Sequence, residues 1–262
     1  MRRRFFVEKF DSASAAIHGE TAEHLGRVLR AEPGQLHELS DGHNVWLARI
    51  EKVDLPKRGE SRIEFALVKP IEVREPRIRI SLLLSIVKFD RFEWCLEKAT
   101  ELGATEIVPL AAARSDKPLL AAADKRRARW EKILLESAQQ ARRLRLPSLR
   151  LAPAAGRDMP ANGSPLKPQL AFSESSADHK ILLSERPDAR PLRDLLPRRP
   201  AGASSQHTIS AALAIGPEGG WTDDELASAR AAGFAEASLG ENILRTETAV
   251  LSAMAILAFA LG

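Results

Sequence analysis

The chain has 262 residues, 44% hydrophobic and 28% charged, enough to bury a core and too apolar for a disordered chain. Its 39 Lys+Arg against 35 Asp+Glu leave a net charge of +4, too modest to indicate a nucleic-acid partner by itself. A single cysteine, Cys95, excludes an intramolecular disulfide and a cysteine-based zinc cluster, and the six histidines lack ligand spacing, so no metal is expected. The first eight residues are basic without a signal peptide's apolar stretch. The longest apolar run, residues 249–261, falls short of the roughly 20 residues that span a bilayer. A soluble cytoplasmic protein is expected.

Residues 1–73 read as short strands and turns. Residues 35–39 alternate with period two, 40–44 supply turn chemistry, and 45–50 and 63–68 are further strands, together suggesting a small β-barrel. Pro70 and Pro76 bracket a linker. From 76 to 262 strands alternate with helices, which implies an α/β domain with a mostly parallel sheet covered on both faces. Residues 78–87 form an apolar strand. Phe92, Cys95, Leu96, Ala99 and Leu102 then fall at helical spacing before Gly103, a natural stop. Residues 105–110 read as the next strand and 124–146 as one long helix. Short strands are expected at 169–172, 212–215 and 236–239. The Pro-, Arg- and Ser-rich stretch 185–207 reads as a surface loop with a helical turn near 192–196.

Strand 212–215 runs directly into Gly216-Pro217-Glu218-Gly219-Gly220, where glycines let the backbone turn sharply and approach a ligand. Thr222 is a good N-cap for the next helix, and Glu225 completes a capping box. A loop at the carboxyl end of a strand in an open α/β sheet is where ligands usually bind, although a glycine-rich turn can also be only a turn. The loop lacks a P-loop's lysine and a dinucleotide fingerprint, and Asp223, Asp224 and Glu225 would repel an anion. A second segment, Leu239, Gly240, Ile243 and Leu244, leads into Arg245-Thr246-Glu247-Thr248 and an apolar helix over 249–260. That helix must be buried on every side, against the sheet and a second subunit, and Thr246 or Thr248 would cap it. Arg245 and Glu247 at its mouth form a structural pair or carry function.

The two segments together resemble the ribosomal RNA small subunit methyltransferase E family, and the resemblance runs over nearly the whole chain. His24-Leu25-Gly26-Arg27-Val28-Leu29-Arg30 is similar to that family's N-terminal PUA-like RNA-binding domain. Lys88-Phe89-Asp90-Arg91, residues 98–103 and Ile107-Val108-Pro109 are similar to its central block. The resemblance implies a PUA-like β-barrel over 1–73, followed by a SPOUT-type knotted parallel-sheet methyltransferase domain over 76–262. It implies S-adenosylmethionine-dependent methylation of N3 of a uridine in 16S rRNA of the small ribosomal subunit, by a homodimer with no membrane attachment. It further implies three cofactor loops. The first is Phe172, Ser173 and Glu174; the second is Ile215, Gly216, Pro217, Glu218, Gly219 and Gly220; the third is Leu239, Gly240, Ile243, Leu244, Arg245 and Thr246. Two departures stand out: Gln139-Gln140-Ala141-Arg142-Arg143 replaces Glu-Gln-Cys/Ser-x-Arg, and Asn242 stands where the family often has a basic residue.

Methylating N3 of uracil requires loss of an imide proton with a pKa of roughly 9–10, near that of tyrosine. A guanidinium that stabilises the developing anion lowers that barrier, which makes Arg245 the candidate catalytic residue. Glu247 would orient it or accept the proton, with Glu218 as an alternative. Arg2, Arg3, Arg4, His24, Arg27, Arg30, Lys88, Arg91, Arg142, Arg143 and Arg145 are candidate RNA contacts, and salt-dependent binding is expected of them. Lys125, Arg126, Arg127 and Arg129 read equally as RNA contacts or as a solvated helix face. Two other readings stay open: methylation elsewhere (ribose 2′-oxygen or transfer RNA), and a non-catalytic ribosome assembly factor.

Overall fold

The computed structural model describes residues 3–152, 164–197 and 208–262. They form two compact units, Met1–Glu75 with Ala138–Leu146, and Pro76–Ser137 with Pro147–Gly262.

In the first unit β1 (Arg4–Phe6) and β2 (Ser14–His18) precede α1 (Gly19–Glu23), which continues as a π-helical turn, His24–Val28. β3 (Leu36–Ser40), β4 (Val45–Asp54) and β5 (Arg62–Ile71) follow. The sheet order is β1-β3-β4-β5-β2, parallel between β1 and β3 and antiparallel elsewhere. Period-two alternation turns Phe5, Leu39, Ile50, Ile63 and Phe65 to one core, which Leu25 completes. The turn read at 40–44 is built by Asp41, whose Oδ1 accepts the backbone N–H groups of His43 and Asn44 at 2.8 and 2.6 Å.

The second unit contains β6 (Ile78–Ser85), α2 (Phe89–Glu101), β7 (Ala104–Leu110), α3 (Lys117–Ala122), a 3-10 turn (Ala123–Arg126), and α4 (Arg127–Gln140), whose last residues join the first unit. Next come β8 (Ser148–Leu149), α5 (Pro168–Ser173), β9 (His179–Leu183), β10 (Arg190–Pro191) and α6 (Leu192–Leu195). β11 (Ile209–Ile215), α7 (Asp223–Ala231), β12 (Ala235–Ser238) and α8 (Thr246–Leu261) complete it. The seven strands lie in the order β10-β12-β9-β11-β6-β7-β8, and every pairing is parallel. One face packs on Phe92, Cys95, Trp130, Leu134, Met254 and Leu257, the other on Phe172, Trp221, Leu226 and Phe234. Helices thus cover both faces, as the alternation of elements requires.

Three expectations are corrected. Residues 169–172 form α5, not a strand: Pro168 presets the first helical turn, and a short apolar run does not distinguish helix from strand. The segment 124–146 is not one helix. It begins as a 3-10 turn, α4 stops at Gln140, and Arg142 has φ +52°, a left-handed conformation that no helix continues through. α8 is capped by neither Thr246 nor Thr248, since its N-cap is Arg245 and Thr246 is the first helical residue. Within this single chain Val250, Ala253, Met254 and Leu257 of α8 face the core, while Leu251, Ile256 and Phe259 face outward, Phe259 at 92% exposure.

Candidate active site

In an all-parallel sheet the carboxyl ends of the strands share one edge, where loops converge and ligands bind. Here the loops after β9, β11 and β12 enclose a cavity of about 1160 Å³, lined by Leu183, Ser184, Glu185, Arg186, Pro187 and Ala189, by Ile215 to Trp221, and by Ser238 to Thr246. Arg91, from the first turn of α2, and Arg114, from the segment after β7, reach the same cavity. The space suits a small organic ligand.

The glycine loop is held from behind. The Trp221 indole Nε1 donates to Leu183 O at 3.0 Å, and its ring lies so close to Gly216 that a Cβ there would stand 3.1 Å from Nε1 and Cε2. A Cβ on Gly219 would stand 3.2 Å from the Arg114 Cβ, and Arg114 Nη1 donates to Gly219 O at 2.8 Å. Gly220 has φ +69°, which side chains rarely adopt. The capping box forms as the sequence requires: Thr222 Oγ1 accepts from Glu225 N at 3.3 Å, and Glu225 Oε2 accepts from Thr222 N at 2.8 Å. Glu225 is buried, and its Oε1 also accepts from Ala113 N at 2.8 Å, tying α7 to the segment after β7.

Charge is distributed unevenly around the cavity. Arg186 donates to Asp223 at 3.1 Å, and the Arg91 guanidinium donates to Glu218 and lies 3.8 Å from Glu247. Glu247 itself does not line the cavity, and its Oε2 is buried without a hydrogen-bond partner. It faces the core beside Cys95, whose thiol is pushed up to about 12 by burial and by the Glu247 charge. Arg245 is exposed and lines the cavity, and its side chain makes no ion pair or hydrogen bond with the described residues. Arg245 and Glu247 are therefore not a structural pair, and Glu247 lies beside Arg91, off the cavity lining.

The second and third loops meet in the cavity, but Phe172, Ser173 and Glu174 do not join them. Phe172 is fully buried, with its ring centroid 5.8 Å from Trp221 and 5.0 Å from Phe234, so it supports the loop from the sheet face. Glu174 accepts from Arg150 at 2.7 Å. The first lining loop is instead residues 183–189, missed because β9 is only five residues long and its alternation is weak. Trp221 and Arg114 were missed as well. Three glycines in five residues already required something packed against their bare side, and a bulky residue directly after them was the available signal.

Among the candidate RNA contacts, Arg2 lies outside the described residues. Arg4 is buried, donates twice to Glu38 at 3.1 and 2.9 Å and once to Arg142 O at 2.7 Å, and is thus a core residue of the first unit. Arg142 lies 3.6 Å from Glu38, and Arg145 holds Glu75 with two bonds of 2.6 and 2.7 Å. The Arg143 guanidinium is desolvated enough to lower its pKa to about 10. Arg3, Arg27, Arg30 and Lys88 are exposed and His24 is half-buried. Arg126 and Arg129 bind the buried Glu93 at 3.4 and 2.6 Å, and Arg127 binds Glu131 at 2.8 Å, which favours the helix-face reading. Gln139, one of the two departures, is buried. Among the described residues no group of three or more His, Cys, Asp or Glu is placed to hold a metal, and no helix is long and apolar enough to cross a membrane.

Residues 74–258 match a family model described as an RNA methyltransferase domain, a span that contains all three loops and the whole parallel sheet. The ribosomal RNA small subunit methyltransferase E of Mesomycoplasma hyopneumoniae is 34% identical over 68% of this chain and 68% of its own. That of a Synechocystis strain is 31% identical over 95% of this chain and 74% of its own. The chain belongs to the ribosomal RNA small subunit methyltransferase E family. A crystal structure of the Neisseria gonorrhoeae family member bound to S-adenosyl methionine has 29% identity and a TM-score of 0.76, covering 99% of this chain and 98% of that one. The first unit therefore falls within the likeness too. As a ribosomal RNA small subunit methyltransferase E family member, the chain is an RNA methyltransferase, and its glycine loop belongs to the matched domain.

Proposed function

We propose that this chain uses S-adenosylmethionine to methylate N3 of a uridine in 16S rRNA, with the cofactor in the cavity bounded by residues 183–189, 215–221 and 238–246. The observation that carries the reading is the convergence of these loops on one cavity whose floor is glycine backbone backed by Trp221 and Arg114. That cradle fits a nucleoside lying close to main-chain donors and acceptors. S-Adenosylmethionine, when bound, supplies an electrophilic methyl group.

The chain's own part is to orient and to stabilise charge. Arg245, unpaired and on the cavity wall, is the group available to a uracil oxygen as N3 loses its proton. Arg3, Arg30 and Lys88 are the exposed candidate cations left to meet phosphate, Arg27 lying 3.8 Å from Glu23, and family membership supports a PUA-like role for the first unit. The placement of β9 between β11 and β12 agrees with a knotted SPOUT topology. The bare Leu251, Ile256 and Phe259 face of α8 supports a homodimer, and a cytoplasmic location follows from a ribosomal substrate.

The test is incubation of the recombinant chain with S-adenosylmethionine and small-subunit rRNA, followed by nucleoside mass spectrometry. 3-Methyluridine is expected. A ribose-methylated nucleoside, or no methylated product, would overturn the reading.

A further inference from the structure

Arg91 reaches two carboxylates that belong to different segments of the chain. Glu218 sits in the glycine loop, and Glu247 sits in the first turn of α8, two residues after Arg245. Its own helix, α2, packs against α8. Glu247 is in an unusual electrostatic position, with a side chain only 20% exposed, one oxygen without a partner, and Arg91 as the cation within 4.0 Å among the described residues. Glu218 is half exposed and is drawn over the same guanidinium. A fork of five donors can serve two carboxylates at once.

We propose that Arg91 is a positioning residue: by bridging Glu218 and Glu247 it fixes the cofactor loop relative to the segment that carries Arg245. This inference rests on the function proposed above. It departs from the reading of Arg91 as an RNA contact, because a guanidinium already facing two carboxylates offers no net positive charge to a phosphate. Without the bridge, Glu218 would lose its ion pair and Glu247 the cation that lies within 4.0 Å of it among the described residues. The glycine loop would keep Arg114 at Gly219 and Trp221 behind Gly216, but would lose its link to α8.

The experiment is a double-mutant cycle with Arg91→Gln, Glu218→Gln and the double variant. S-Adenosylmethionine affinity is measured by calorimetry, RNA affinity across a salt series, and single-turnover methylation at saturating cofactor. Each single variant is expected to weaken cofactor binding about tenfold and slow single-turnover methylation by a similar factor, a misalignment effect. RNA affinity and its salt slope stay at wild-type values. The double variant is expected to be no worse than either single one, because both remove the same bridge. Glu218→Gln, at a half-exposed carboxylate, keeps the test alive if Arg91→Gln fails to fold. Additive losses, or a Glu218→Gln protein indistinguishable from wild type, would overturn the role. A fall in RNA affinity with a shallower salt slope and unchanged cofactor binding would make Arg91 a phosphate contact instead. A wild-type chain that neither binds the cofactor nor methylates RNA would overturn the underlying function, and the bridge with it.

Discussion

Trp221 lies directly behind Gly216: its ring occupies the side on which any other residue would place a Cβ, 3.1 Å from two indole atoms. The ring cannot retreat freely, since Trp221 is buried and its Nε1–H is committed to Leu183 O at 3.0 Å. Gly216→Ala therefore pushes the loop into the cavity rather than the indole out of it. Cofactor affinity should fall about tenfold, equivalent to roughly 1.4 kcal/mol. Calorimetric titration of S-adenosylmethionine into the variant measures this directly, and an unchanged affinity would show that the ring yields.

Arg245 is exposed on the cavity wall, where Glu218 and Glu247 both turn to Arg91 instead. A cation left unpaired beside a cofactor site is free to meet charge that develops during reaction. Arg245→Ala is expected to lower kcat about 100-fold or more, the usual loss for one donor to a developing oxyanion. Cofactor binding should be largely retained, because the glycine loop and its backing residues are untouched. Near-normal turnover in this variant would remove Arg245 from the chemistry.

The sequence showed some parts of this site and hid others for physical reasons. The glycine loop, the capping box at Thr222 and Glu225, and the stop at Gly103 were legible because each depends on a few adjacent residues. The strand–helix alternation also announced the parallel sheet. By contrast β9 was passed over, since a five-residue strand carries little periodicity, and the loop after it was read only as surface. Residues 172–174 were placed at the cavity by family likeness, whereas Phe172 is core. Charged residues misled most. Arg4 sits in a run of three arginines, and nothing local marks it as the one that pairs with Glu38. The pairing of Glu247 with Arg91 spans the chain and leaves no mark in either segment alone.

Glu225 offers a test of how far that local logic supports the fold. Its buried carboxylate accepts from Thr222 N and Ala113 N, both at 2.8 Å, so Glu225→Ala strands two backbone donors at once. The cost should be about 2–4 kcal/mol, read as a lower denaturant midpoint for the second unit. Glu225→Gln keeps an acceptor oxygen and should lose less. Equal losses in the two variants would show that charge at the helix N-terminus, rather than the hydrogen bonds, is what matters.

Arg4 separates fold from RNA binding. Removing it leaves the buried Glu38 with Arg142 at 3.6 Å and takes away the donor to Arg142 O. Arg4→Ala should destabilise the first unit by about 3 kcal/mol, the penalty for breaking a buried ion pair from one side. RNA affinity of the folded protein should stay unchanged at every salt concentration. A weaker affinity with a reduced salt slope in a protein of wild-type stability would return Arg4 to the RNA surface.

The pH dependence of stability should report Cys95. Burial, and then the Glu247 charge, push its thiol up to about 12, whereas an unfolded thiol ionises near about 8.5. The folded pKa is the higher one, so the native state keeps a proton that the unfolded chain releases. That contribution is fully present below about pH 8.5 and is lost as the pH rises toward the folded value, at about 1.4 kcal/mol per unit. Between pH 7.5 and pH 10 the wild type should therefore lose about 2 kcal/mol more than Cys95→Ala, which has no thiol to titrate. Denaturant unfolding of both proteins across that range makes the comparison, with other titrating groups cancelling between them. Parallel curves would mean that the thiol ionises in the native state as readily as in the unfolded chain, and that Glu247 does not face it.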